Sequence, residues 1–440
     1  MKKFIFLSLG VCGWMCQVMC QPTPAPQQSQ SILVLHGTAH LGTGDAIEDA
    51  AIGFRDGRID FVGRASQVDR GLYQFEVDAT GRQIYPGFIA PNSTLGLQEI
   101  GAVRATRDDY EVGTFKPNVR ALIAFNTDSE VTPTVRSNGV LLGQITPRGG
   151  TISGSSAVVH FDGWNWEDAA IAEVDGVHLN WPSMHHKHRA DGSLDIRKRK
   201  TYDQEFQEIQ HFFQEAQAYA KAMRMAEPSS SPMDLRYEAL RGVLTGSERL
   251  YIHADDLRAI TEAIHFKRAF EIPHVVIVGG YDAHLVADML RENNVPVLLR
   301  RVHELPRYDE DDIDLPFRLP KLLEDEGVLY GLQNAGGMEH MGTRNLPFYA
   351  GTAHAYGLTY EQAVRTITLN SAKILGIDRL YGSIETGKSA TLFISTGDAL
   401  DVRGNDLTHA FIDGRAIDLD NRQKQLYRKF QIKYGAPIVE

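Results

Sequence analysis

The sequence predicts an α/β fold. A (β/α)8 barrel covers residues 86–380, and a small discontinuous β domain is assembled from residues 31–85 and 383–420. Two observations predict this. Asp56-Gly57 in "AAIGFRDGRIDFVG" and Asp413-Gly414 in "HAFIDGRAIDL" each stand between alternating apolar residues, the strongest short signal for a β-hairpin. Their matching texture at opposite ends places both ends in one small β unit. Between them, β-rich runs alternate with helical stretches, as in a parallel barrel joined by crossover helices.

Taken in order, residues 1–20 stand apart. Lys2 and Lys3 precede the apolar run Phe4–Met15, and Cys20 is a small residue at a cleavage position. This is the pattern of a bacterial secretory signal peptide, cut after Cys20, and it implies a periplasmic or secreted protein. The alternative is a lipoprotein acylated at Cys12, Cys16 or Cys20, but none of them has a small residue just before it and a leucine three before it. The run is too short to span a bilayer, which takes about 20 apolar residues, and no other integral membrane segment is found. All three cysteines lie in this segment, so a mature chain has no disulfide, thiolate ligand or cysteine nucleophile. Two of the 45 basic residues go with it and none of the 56 acidic ones, leaving a net charge of −13. Such acidity, with no basic stripe, argues against nucleic acid and against an anionic membrane as partners. Residues 21–30, "QPTPAPQQSQ", form a Pro/Gln linker of disordered composition.

The β-rich runs are 84–90, 140–146, 157–161, 177–181, 250–254, 275–279, 296–300 and 328–333. Several are continuously apolar, as strands covered on both faces should be. The intervening helices are amphipathic. Phe206, Ile209, Phe213, Ala216, Ala220 and Met223 line one face of 203–226, and Glu361–Leu375 forms another. Residues 421–440 read as a helix and tail. Barrel sites gather at the carboxyl ends of the strands, which puts forward Asn92, Thr94, His178, His253, His303 and Asn334 as pocket residues. Asn92 and Thr94, two apart on an extended chain, would point the same way.

At this point the chain resembles the amidohydrolase superfamily, close to its imidazolonepropionase-like branch. The resemblance runs through "IYPGFI", "YIHADDLRAI", "NVPVLL", "RNLPFYA" and "GLTYEQAVRTITLNSAKILGI", followed by "GSIETGKSATLFI". It implies a metal-dependent hydrolase of cyclic amide or amidine C–N bonds. The expected ligands are a His-x-His pair ending the first strand, histidines on later strands and an aspartate ending the eighth. The metal lowers the pKa of its bound water to about 7. Here those positions read Asn92 and Thr94, Gly279 or Gly280, and Asn334, so His253 alone remains as a plausible ligand. A one-residue slip does not restore them, since no histidine occurs in 85–105 and no aspartate in 327–340.

Other motifs offer less. His185, His186 and His188 in "SMHHKH" fall in a charged loop, and His340 follows the eighth strand without a second ligand. "PRGGTISGSSAV" matches neither a phosphate loop nor a nucleophile elbow and reads as a tight turn between the second and third strands. Asp309–Asp314 lacks the spacing of a calcium loop. Two functions therefore stand. One is a non-catalytic or altered member without metal or cofactor, binding a small polar molecule, an active homologue or a second copy. The other is an active C–N hydrolase with zinc or another divalent metal in a non-standard site. Catalytic residues are not assigned.

Overall fold

The computed structural model describes residues 23–186, 195–199, 201–225 and 233–435. The proposed signal segment 1–20 lies outside them, as do His188 and the tail beyond residue 435.

Each of the eight β-rich runs supplies a strand to one sheet, in chain order: Phe88–Ser93, Val140–Ile145, Ile152–His160, Ala170–Asn180, Arg249–Ala254, Val275–Gly279, Val297–Leu299 and Tyr330–Leu332. The third departs from a purely parallel barrel, because Ile152–His160 runs antiparallel to both neighbours. The connections explain this. Residues 146–151 and 161–169 are too short for a parallel crossover, which needs a dozen residues or more. The run "PRGGTISGSSAV" accordingly splits into a turn, 147–151, and the start of that strand.

The inner face carries Leu142, Val158, Tyr251, Val276, Val278 and Leu298, with Ile89. Their chain neighbours Leu141, Val159, Leu250, Ile252 and Ile277 join the helix-facing core, as period-two alternation requires. The sheet order leaves a seam between its first and last strands. The predicted helix 361–375 divides there into Tyr360–Thr366 and Leu369–Leu375. The second piece adds Ala372, Ile374 and Leu375 to the inner cluster. Ile89 N–H donates to Ile367 O at 2.8 Å, and Asn370 Nδ2 to Tyr330 O at 2.9 Å. Helix and connecting turn thus satisfy backbone groups that a closed ladder would have paired.

Both ends of the chain build the second sheet. Leu392–Ser395 pairs antiparallel with Gln83–Pro86, which continues through Ile32–His40, Ala46–Arg55 and Arg58–Arg64. Gly87 divides the first predicted run between the two sheets. A Cβ there would stand 2.8 Å from Thr391 Cγ2, so only glycine lets the sheets approach so closely. Asp56-Gly57 and Asp413-Gly414 form the hairpin turns, with φ +50°, +75°, +49° and +73°, and their tips meet.

Residues 23–30, expected to be disordered, are docked. Ala25 is buried; its N–H donates to Asp162 Oδ2 at 2.9 Å and its carbonyl accepts from Arg415 Nη1 at 3.3 Å. Gln28 Oε1 accepts from Gly57 N–H at 2.8 Å. Composition describes a segment without a core of its own, but this one borrows polar partners from the folded body.

Candidate functional site

A cavity of about 320 Å3 opens at the carboxyl ends of the barrel strands. Asn92, His253, Gly279 and Gln333 line it from the sheet, with Trp181, Asp255, Arg300, Glu304 and Arg307 above. Asp255 Oδ2 takes both guanidiniums, Arg307 at 2.9 Å and Arg300 at 3.2 Å.

The floor follows from strand alternation. Tyr251 and His253 project inward between Leu250, Ile252 and Ala254, and His178 does so between Val177 and Leu179. The His178 ring stacks on Tyr251 with centroids 4.6 Å apart. Its Nδ1 shares a proton with His253 Nε2 at 2.9 Å, and its Nε2 lies 2.9 Å from Ser156 Oγ. Ser156 donates to Asp175 Oδ1 at 2.6 Å, while Tyr251 OH and Gln144 Nε2 donate to Oδ2 at 2.6 and 2.7 Å. The row His253–His178–Ser156–Asp175 therefore runs from the cavity into the barrel interior. Burial, then the mutual repulsion that His253 would exert if both rings were protonated, and the Arg148 charge hold His178 well below the usual imidazole range. Burial and Arg148 bring His253 down to about 3. Both rings are neutral at ordinary pH. Burial raises Asp175, its three donors opposing that shift.

Asn92 is fixed on every side. Its N–H donates to Gln144 Oε1 and its Nδ2 to Gln333 Oε1, both at 2.9 Å. Arg148 grips its Oδ1 at 2.9 Å and its carbonyl at 2.8 Å, and completes a two-pronged ion pair with Glu339.

Of the six residues put forward from the sequence, Asn92, His178 and His253 come together here. Asn334 is buried nearby, its amide occupied by Glu339 O at 2.8 Å and Tyr349 OH at 2.6 Å. Thr94 is buried but does not line the cavity. Asn92 takes φ +53°, which breaks the extended geometry that would have aligned the two. His303 turns outward, its Nε2 2.7 Å from Thr352 Oγ1 and its ring against Tyr349; Arg300 takes the cavity side of that loop. Sequence reasoning missed Arg148, Gln144, Ser156 and Asp175. Arg148 follows the second strand, a position that could have flagged it, whereas a mid-strand Asp175 carries no such signal.

A divalent metal fits this donor set poorly. Among the described residues no three His, Cys, Asp or Glu side chains converge as a metal-holding group. His253 Nε2 is engaged by His178, and Arg148 holds a fixed positive charge on Asn92. Zinc sites take three or four strong donors.

Residues 316–417 match the amidohydrolase family. The chain is 23% identical over 428 residues to the amidohydrolase tasK of Hapsidospora irregularis, covering 89% of this chain. The fold aligns with the crystal structure of an amidohydrolase from Thermotoga maritima MSB8 at a TM-score of 0.77, with 24% identity, over 88% of this chain and 99% of that one. These likenesses in sequence and fold support a place in the amidohydrolase superfamily. It spans only 43% of the tasK chain. A molinate hydrolase shares the fold more distantly, at a TM-score of 0.54 and 16% identity over 90% of this chain and 95% of that one. Among the described residues, no helix is long and apolar enough to cross a membrane.

Proposed function

We propose that this protein uses the barrel mouth to bind a small polar molecule and does not carry out the metal-dependent hydrolysis associated with the fold. One observation carries the reading. Where the resemblance to the imidazolonepropionase-like branch implies metal ligands, Asn92, Gly279 and Asn334 offer no strong donor, and Arg148 has its guanidinium on Asn92. A neutral His253, the Gln333 amide, and the Arg300 and Arg307 guanidiniums beside Asp255 suit hydrogen bonding to a compact polar ligand. The protein acts outside the cytoplasm, with its mature chain starting at Gln21; N-terminal sequencing of the processed form checks that start.

Excess zinc or manganese is expected to leave the melting temperature unchanged, because only a ligand that binds the native state raises it. Polar amides or ureas that fill the cavity are expected to raise it, and His253→Gln to abolish that rise. A stoichiometric metal in the purified protein, lost together with C–N hydrolase activity in His253→Ala, would overturn the proposal. Turnover of an amide in metal-free buffer, absent in His253→Gln, would also overturn it.

A further inference from the structure

The helix Arg422–Tyr434, "RQKQLYRKFQIKY", is exposed along most of its length. Asn421 caps it, accepting from Lys424 N–H at 2.9 Å and donating to Ser137 Oγ at 3.0 Å. Within the helix only Gln431 is buried. At 100° per residue, Leu426, Phe430, Tyr434 and Tyr427 fall within one arc of about 100°, shared with Gln423, on a flank of the helix whose centre lies about 90° from Gln431. The four are 40%, 45%, 72% and 59% exposed. An isolated helix of this length is marginal in water, and none of these four side chains is buried against the body.

The charges on the same helix name the occupant. It carries Arg422, Lys424, Arg428, Lys429 and Lys433 and no acidic residue, in a chain whose formal net charge is −11. Arg428 pairs with Asp420; the other four have no carboxylate partner among the described residues. Arg422, Lys429 and Lys433 border the apolar arc. Lys433 lies over the Tyr434 ring, 5.1 Å from its centroid.

We propose that this helix docks the protein onto an anionic membrane surface, with Leu426, Tyr427, Phe430 and Tyr434 entering the headgroup boundary and the flanking lysines on lipid phosphates. An apolar arc bordered on one side by Arg422, Lys429 and Lys433, on a helix that is otherwise polar apart from the exposed Ile432, has the pattern of an interfacial helix. Tyrosine rings suit that depth, and long lysine stems reach back to the phosphates. The acidity of the whole chain, which on sequence grounds argued against such a surface, does not oppose this. Salt screens charges beyond about 8 Å, so the membrane meets the helix and not the average. A second copy of the chain is the weaker occupant. A helix about 20 Å long and 10 Å wide cannot by itself supply the ~800 Å2 per partner of a stable interface.

Flotation with vesicles of phosphatidylcholine, alone or mixed with phosphatidylglycerol, tests the inference on chains sharing one N-terminus, so that any contribution from residues 1–22 cancels. The unaltered chain should float with the mixed vesicles, bind neutral ones far less, and detach at high salt. Lys429→Gln with Lys433→Gln should lower partitioning about 30-fold, at about 1 kcal/mol per surface cation. Tyr427→Ser, Phe430→Ser and Tyr434→Ser together should abolish it, with the melting temperature unchanged. Equal binding to neutral and anionic vesicles, or none to either, overturns the inference. So does a concentration-dependent dimer, seen by sedimentation, that the same substitutions dissolve.

Discussion

Asn92 adopts φ +53°, a conformation that asparagine tolerates far better than a β-branched residue. Its side chain and carbonyl receive Arg148, so the first strand ends on a guanidinium. That cation helps to keep His178 and His253 neutral, with a consequence for acid stability. The unfolded imidazoles protonate near 6.5, while folded His253 resists protonation down to about 3. Between those values the unfolded chain binds more protons than the native one, so stability falls as pH drops through that window. Denaturant unfolding across it should show His253→Gln losing less stability on acidification than the unaltered chain; equal losses would refute the assignment. A second residue prediction concerns Asp162, whose carboxylate meets Arg136 at 2.6 Å and Arg415 at 3.4 Å with nearly all of it buried. Asp162→Ala leaves two buried guanidiniums without this partner. It should cost about 3–5 kcal/mol in urea unfolding, and a cost below 1 kcal/mol would show that other groups compensate.

The third barrel strand shows what could be read element by element. Its apolar residues 157–161 are visible in the sequence, but its direction is not, because direction depends on the length of the connections as well as on the strand itself. Gly154 lies near its start at φ +133°, where a Cβ would stand 2.5 Å from Val119 O. Gly81, at φ +71°, has nothing within 4 Å. Gly154→Ala should therefore destabilise by roughly 1–3 kcal/mol through backbone strain and collision, and more than Gly81→Ala. Midpoints of denaturant unfolding for the two variants decide it; equal shifts would mean the strand simply moves away from Val119. The helix 361–375 teaches a similar lesson. Its amphipathic period is legible, but its break at Ile367–Thr368 answers the open seam of a sheet far away in sequence.

On the scale of the molecule, the two sheets share one core. Phe393 of the smaller sheet packs on Tyr85 at 5.2 Å and on Phe88 of the first barrel strand at 4.9 Å, centroid to centroid. Phe393→Ala should cost about 3–5 kcal/mol and shift the far-ultraviolet circular dichroism and tryptophan fluorescence transitions together. Separation of the two transitions would mean that the sheets fold independently.

The eight strands, the composite sheet built from both ends, the likeness to amidohydrolases and the absence of the expected ligands at 92 and 334 were all legible in the sequence. Each rests on local composition, spacing or residue identity, which survive any arrangement in space. That Ile152–His160 runs backwards, that residues 23–30 are docked, and that Arg148, Ser156 and Asp175 join His178 and His253 across three strands and a turn became visible only in three dimensions. Those outcomes depend on buried polar atoms finding partners far along the chain, and no local pattern encodes which partner is within reach.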